Sequence, residues 1–243
     1  MKTLVSPVAL VALAASLMMP AVTHAQVKHD GLDQILKNYV KAGHVQYADV
    51  RDHAKFDLYA YLDYMANIDV GLMSREEQLA YYINVYNATV IKEVIERMHA
   101  DFAPPEKEHA MFKSPTVNLS GGRKMSLNDL ANKVIRPTFK DPRINAALVY
   151  GARGNMPLMN RAYRGADLDD MLDSQMKKWV NDPAFNKVDR ENKKLVLSQL
   201  FEWFADDFGG RNALPAYISK YAEGGSVDGF TVEFSEFDWS LNK

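Results

Sequence analysis

The chain has 243 residues, with 29 Lys and Arg against 31 Asp and Glu and a formal net charge of −2. Both signs are interspersed, which argues against nucleic acid or an anionic membrane surface as a partner. There is no cysteine, so thiol chemistry and disulfides are excluded and the fold must rest on its apolar core.

Residues 1–25 read as a signal peptide: a Lys2 n-region, an apolar run through Leu17, and the small residues Thr23 and Ala25 placed for cleavage. The apolar run is shorter than the ~20 residues that a membrane helix needs. The expectation is therefore an exported, soluble chain, periplasmic or secreted, that starts at Gln26 and has no transmembrane segment. Residues 26–243 contain no Pro, Gly and Ser-rich linker and are expected to form one domain.

Leu32, Ile35, Leu36, Tyr39 and Val40 recur at helical spacing up to Gly43, a residue suited to a helix C′ position. A second helix is expected over 55–66. Ser74 followed by Glu77 has the form of a capping box, so a long helix should start there and run to Arg97. Its apolar residues spread around nearly the whole circumference, leaving only Lys92, Glu93 and Glu96 as a polar stripe. Such a helix is buried, and Asn84 and Asn87 within it must find hydrogen-bond partners, because a lone buried amide costs roughly 1–3 kcal/mol.

Pro104, Pro105 and Pro115 break the next stretch, which reads as irregular surface. Residues 116–119 and 123–125 around Ser120-Gly121-Gly122 read as a β-hairpin, and Ser126 as the cap of a short helix ending near Val134. Residues 144–150 (INAALVY) form a continuous apolar run, most simply a buried strand, followed by a Gly151-to-Pro157 loop. Asp167, Asp169 and Asp170 lead a further helix that stops at Asp182-Pro183. Ser198 caps another, over 199–207; residues 214–221 give a last helix and 230–234 a terminal strand.

Five segments taken together, AYYINVYNATVIKEVIE (80–96), MSLNDLANKVIRP (125–137), DPRINAALVYGARGNMPLMNRAY (141–163), LSQLFEWFADDFGG (197–210) and FDWSLN (237–242), resemble the signature of the domain-of-unknown-function family 547. ILKNYVKAGHVQYADV (35–50) is similar too. The resemblance implies no settled activity. It does imply a departure: where members often carry a histidine and then C-x-x-x-x-C-P, this chain has Asn145, Tyr150 and Asn155. A thiol-based site, if others use one, cannot work here in that form.

Three groups of residues are candidates for a site. Tyr82, Asn84, Tyr86 and Asn87 on the central helix either orient a ligand or fix the helix against neighbouring backbone. Gly151, Arg153, Gly154 and Asn155 offer a sharp turn, exposed N–H groups and a guanidinium fork able to hold a carboxylate or phosphate, or else form a plain tight turn. Trp203, Asp206 and Asp207 put two carboxylates at the negative end of a helix, which asks for a cation such as Arg143, Arg153 or Arg161. The five histidines of residues 26–243, His44 among them, sit in no metal or nucleophile motif.

The fold class expected is α+β, a mainly helical single domain with a small β-sheet packed on the central buried helix, built from the hairpin, the 144–150 strand and the C-terminal strand. The functional expectation is a non-catalytic binding or interaction module without cofactor or metal. Its polar pocket would lie between the central helix and the 151–157 loop, and its partner would be an unknown small molecule or a cell-envelope protein. The alternative is a hydrolase or transferase acting on acyl or amide bonds without a cysteine nucleophile, in which Asp207 is the base and Asn87 and Arg153 converge on it.

Overall fold

The computed structural model describes residues 27–98 and 110–243. The expected leader with its cleavage position at Ala25, and the Pro104-Pro105 stretch with His99 and His109, lie outside the described residues.

The central helix, Arg75–Arg97, begins as its cap predicts: Ser74 Oγ accepts the Glu77 N–H at 3.1 Å. The other half of the capping box is redirected. Glu77 is buried, and its Oε1 accepts the Val27 N–H at 3.0 Å while Oε2 accepts the Gly165 N–H at 2.8 Å, so one carboxylate ties two distant segments to the helix start. From Leu79 to Ile91 every residue is buried. The expected polar stripe is only partly so: Glu93 is buried and paired with Lys92 and Arg97.

Around this rod the chain builds a mainly helical α+β fold. The N-terminal helix, Asp30–Tyr39, ends in a short hairpin of β1 (Val40–Lys41) and β2 (His44–Val45). Gly43 serves that hairpin rather than the helix end; with Ala42 it forms a two-residue turn in which both residues have positive φ. A Cβ on Gly43 would fall 2.1 Å from the Pro157 side chain, so the turn can press against the 151–157 loop only as glycine. The second helix, Lys55–Ala66, packs on both the N-terminal and central helices.

The sheet on the central helix is the hairpin of β3 (Val117–Leu119) and β4 (Arg123–Met125), joined through the expected Ser-Gly-Gly turn. Ser126 then caps a helical stretch by accepting the Asp129 N–H at 3.0 Å. The stretch runs to Phe139, beyond the expected end at Val134. Pro137 falls in the first turn of its last segment, where a missing N–H is tolerated.

Residues 144–150 are not a strand. Pro142–Ala146 is a 3₁₀ turn, and 147–150 are irregular, with 147–149 buried and Tyr150 partly so. A short apolar run reports burial and leaves the conformation open; here side-chain amides, not a neighbouring strand, take up its backbone polar groups. The sheet at the other end of the molecule is β5 (Lys187–Asp189), β6 (Lys194–Ser198) and β7 (Thr231–Ser235), with β6 antiparallel to β5 and parallel to β7. The C-terminal strand therefore pairs with β6 and not with the 144–150 segment. Helix Leu168–Asn181 shares an apolar cluster with β6 through Met176, Trp179, Leu195 and Leu197, and Trp179 stacks on Phe201 at 4.1 Å. Two apolar clusters result, one around the central helix and one around Trp179 and Phe201, and Tyr150 packs against both.

Candidate functional site

The two amides of the central helix are clamps. Asn84 donates from Nδ2 to the Tyr163 carbonyl at 2.7 Å and accepts the Tyr163 N–H at 2.9 Å. Asn87 donates to the Ala147 carbonyl at 2.9 Å and accepts the Val149 N–H at 3.1 Å. Each side chain reproduces the paired exchange that a strand makes with its neighbour. Both amides are thereby satisfied and neither is open to a ligand. Tyr82 is buried edge-on against Tyr81 and Phe139, again in packing.

Asn155 repeats the device within its own loop, accepting the Tyr150 N–H at 2.7 Å and donating to the Leu148 carbonyl at 3.4 Å. The loop also closes on the C-terminal tail. Arg153 and Gly154 donate their N–H groups to the carbonyls of Ser240 and Asp238 at 2.9 and 2.8 Å, and Asn242 donates its N–H to the Gly151 carbonyl at 2.9 Å. The expected cradle of free N–H groups therefore does not form, because the tail occupies it. Both glycines are required: Gly151 has φ of 69°, and a Cβ on Gly154 would lie 2.6 Å from the Phe237 ring.

What remains open is the Arg153 side chain. It is exposed, makes no hydrogen bond among the described residues, and faces the charge of Asp238. Asp238 is held below the usual carboxylate range first by its bond from Ser240 Oγ, and also by Arg153. A recess of about 580 Å³ lies here, lined by Arg153, His44, Pro157, Glu236, Phe237 and Asp238. A second, of about 610 Å³, shares Ala42, Pro157 and Asp182 with it and continues along 156–160. No residue of the central helix lines either recess, so the groove is on the outer side of the 151–157 loop and the helix is on its inner side.

Asp207 sits elsewhere. It lies in a 3₁₀ turn, Ala205–Phe208, and its Oδ2 accepts from Arg136 Nη1 at 2.7 Å and from Asn145 Nδ2 at 2.9 Å. Its cation is thus Arg136 and none of the three arginines expected from the sequence. Arg136 also donates to Asn145 Oδ1 at 2.5 Å, and its guanidinium lies 3.7 Å from the centre of the Phe204 ring. Close by are two phenols that burial pushes upward, Tyr150, partly offset by Arg136, and Tyr86, whose hydroxyl has no hydrogen-bond partner among the described residues.

Asn87, Arg153 and Asp207 do not converge. Asn87 is spent on backbone, Arg153 lines the outer groove, and Asp207 opens on a separate recess beside Asn132 and Lys140. Trp203 is about 42% exposed and packs in a group of rings with Phe237 at 5.1 Å and Trp239 at 5.8 Å. Phe237 joins this group to the groove. Sequence reasoning missed Glu236, Asp238 and Arg136. The last lies in a segment quoted for the resemblance, but only the folded chain sets it beside Asp207. Among the described residues no cluster of His, Asp or Glu is arranged to hold a metal, and no helix is long and apolar enough to cross a membrane.

No curated protein and no solved structure matches the chain. Asn145, Tyr150 and Asn155, the positions where the resemblance expects histidine and cysteines, are all hydrogen-bonded structural groups here. Residues 70–180, from the central helix through its clamped loops to the Leu168–Asn181 helix, match the family described as "Protein of unknown function, DUF547".

Proposed function

We propose that this is an exported, soluble binding module whose ligand seats in the groove on the outer face of the 151–157 loop, with Arg153 as its anion-recognising group. The observation that carries the reading is the contrast within one loop. The Asn155 amide and the Arg153 and Gly154 N–H groups are all bonded within the chain, whereas the Arg153 guanidinium is exposed and unbonded at a recess of about 580 Å³. A fork of fixed donors on a pinned loop suits a carboxylate or phosphate. Export is supported by the leader-like first 25 residues.

A thermal-shift screen of the chain from residue 26 against phosphate, acetate, short peptides and cell-envelope fragments tests the reading. A stabilising compound whose effect disappears in Arg153→Gln supports it. Stabilisation that survives Arg153→Gln unchanged, or none from any compound, counts against it.

A further inference from the structure

Arg153 is outnumbered in its own recess. Asp182, Glu236 and Asp238 line it as well, so with histidine counted as neutral one cation meets three carboxylates. The adjoining recess shares Asp182 and adds Glu223 and Lys178, which makes two cations against four carboxylates and keeps the same excess of negative charge. Neutral polar groups of the lining are committed inside the chain: the Asn155 amide to Tyr150 and Leu148, the Asn242 amide to Gly43, the Ser235 hydroxyl to Leu197. The charged ends are not. Asp182 and Asp238 accept only through Oδ1, from the Ala184 N–H and from Ser240, and Glu236 accepts no side-chain bond. None of the three is ion-paired among the described residues. Arg153, Glu236 and Asp238 are exposed and Asp182 is half-buried. A ligand with negative charge alone would gain at Arg153 and lose against the three carboxylates, and a concave wall of one dominant sign concentrates that field.

Resting on the reading above that Arg153 receives an anionic group, we propose that the ligand is a small zwitterion with excess positive charge, of the class of a basic amino acid, its carboxylate at Arg153 and its ammonium groups at Glu236, Asp238 and Asp182. A diamine would leave the guanidinium unpaired, and a plain carboxylate would leave the acidic side unpaired. A phosphate carries about −1.5 to −2 charges where a carboxylate carries one, so it meets more repulsion from the same wall. The two sides of the site are held at a fixed separation, because the Arg153 and Gly154 N–H groups bond to the carbonyls of Ser240 and Asp238 in the tail that carries the carboxylates. Such pre-organisation lowers the ordering cost of binding. Phe185, Phe237, Pro157 and Ala184 supply the apolar part of the lining, against which a methylene stem packs while its charged ends stay polar-paired. A recess of about 580 Å³ is within the range of small-molecule sites. Acidic amino acids are disfavoured by the same carboxylates.

The test is an amide-resolved NMR titration of the chain from residue 26 with L-lysine, with cadaverine, which lacks the carboxylate, and with hexanoate, which lacks the ammonium groups. It is run at about 20 mM salt, where surface charges are little screened. L-Lysine is expected to shift the amides of residues 153–154 and 236–238 and to bind at least tenfold more tightly than either of the other two. Arg153→Gln should bring L-lysine down to the level of cadaverine. Glu236→Gln, at an exposed side chain and checked for folding by circular dichroism, should weaken L-lysine and cadaverine about threefold and leave hexanoate no weaker. Hexanoate as tight as L-lysine, or weakening of hexanoate by Glu236→Gln, overturns the zwitterion while the anion-binding groove stands. Cadaverine as tight as L-lysine, with no effect of Arg153→Gln, overturns both. L-Lysine shifts that avoid 153–154 and 236–238 also overturn the proposal. If L-lysine fails while acetate or phosphate still stabilises the chain through Arg153, the groove reading survives and the zwitterion falls.

Discussion

Asn84 and Tyr163 exchange two hydrogen bonds across 79 positions of sequence, amide nitrogen to carbonyl at 2.7 Å and backbone N–H to amide oxygen at 2.9 Å. Asn87 does the same with Ala147 and Val149. A helix whose middle is wholly buried thus anchors two irregular segments that have no strand beside them. The 151–157 loop that follows is pinned from within by Asn155 and the C-terminal tail, while the Arg153 side chain on its outer face is exposed.

Removing a clamp leaves two backbone groups buried and unpaired. Asn84→Ala should lower the unfolding free energy by about 2–4 kcal/mol, the scale of two orphaned polar groups plus a small void. Asn84→Asp keeps the acceptor for the Tyr163 N–H but sets an oxygen against the Tyr163 carbonyl, so it should also destabilise. Urea unfolding of the two variants checks this, and a loss under 1 kcal/mol for both would mean that the bonds contribute little.

Acid should weaken the fold through His29. Its Nδ1 lies 2.8 Å from Tyr61 Oη, its Nε2 has no hydrogen-bond partner among the described residues, and its imidazole is fully buried. Burial first, and the charge of Arg164 second, lower its pKa to about 4, against opposing pulls from Asp33 and Asp30; Glu77 faces it from the central helix at 4.0 Å. The folded state therefore resists a proton that the unfolded chain accepts near pH 6.5. Above about pH 6.5 both states are neutral and stability is complete. As pH falls from 6.5 towards 4 up to roughly 3 kcal/mol is lost, and below 4 the loss levels off. Unfolding curves at pH 7, 5.5 and 4.5 for the native chain and His29→Gln measure it; the variant should lose less between pH 7 and 4.5.

The ion pair of Arg136 with Asp207 reads as structural. Asp207→Ala should cost about 1–2 kcal/mol, a value reduced for the partial exposure of the carboxylate. A double-mutant cycle with Asn145→Ala should give a coupling of about 0.5 kcal/mol or more, since both side chains share Arg136.

Gly154→Ala tests the docking of the tail. The new methyl would fall 2.6 Å from Phe237 and 2.9 Å from the Asp238 nitrogen, so the tail must move away. A destabilisation of about 1–3 kcal/mol is expected, with proteolysis near residue 238 faster than in the native chain.

The sequence made the central helix, its Ser74 cap and the need for partners at Asn84 and Asn87 legible, because burial all round a helix can be read from its periodicity. The partners could not be read, since they are backbone groups 60 and 79 residues away. Residues 144–150 read as a strand for the same reason: apolar content reports burial, while the groups that satisfy the backbone are the side chains of Asn87 and Asn155. In β6 Leu195 and Leu197 are buried while Lys194 and Val196 are partly exposed, an alternation that the apolar Val196 hides in the sequence and that shows only with β7 beside it. Arg153 and Asn155 were rightly set in one loop, but which of them faces solvent depended on the tail.

The clamps fix both irregular segments to the central helix, and amide hydrogen exchange at Val149 and Tyr163 tests them directly. Both N–H groups should exchange only through global unfolding, as slowly as the interior of the central helix, although neither lies in a helix or strand. Exchange at the rate of open loops would contradict the account, and would return Asn84 and Asn87 to the residues free to meet a ligand.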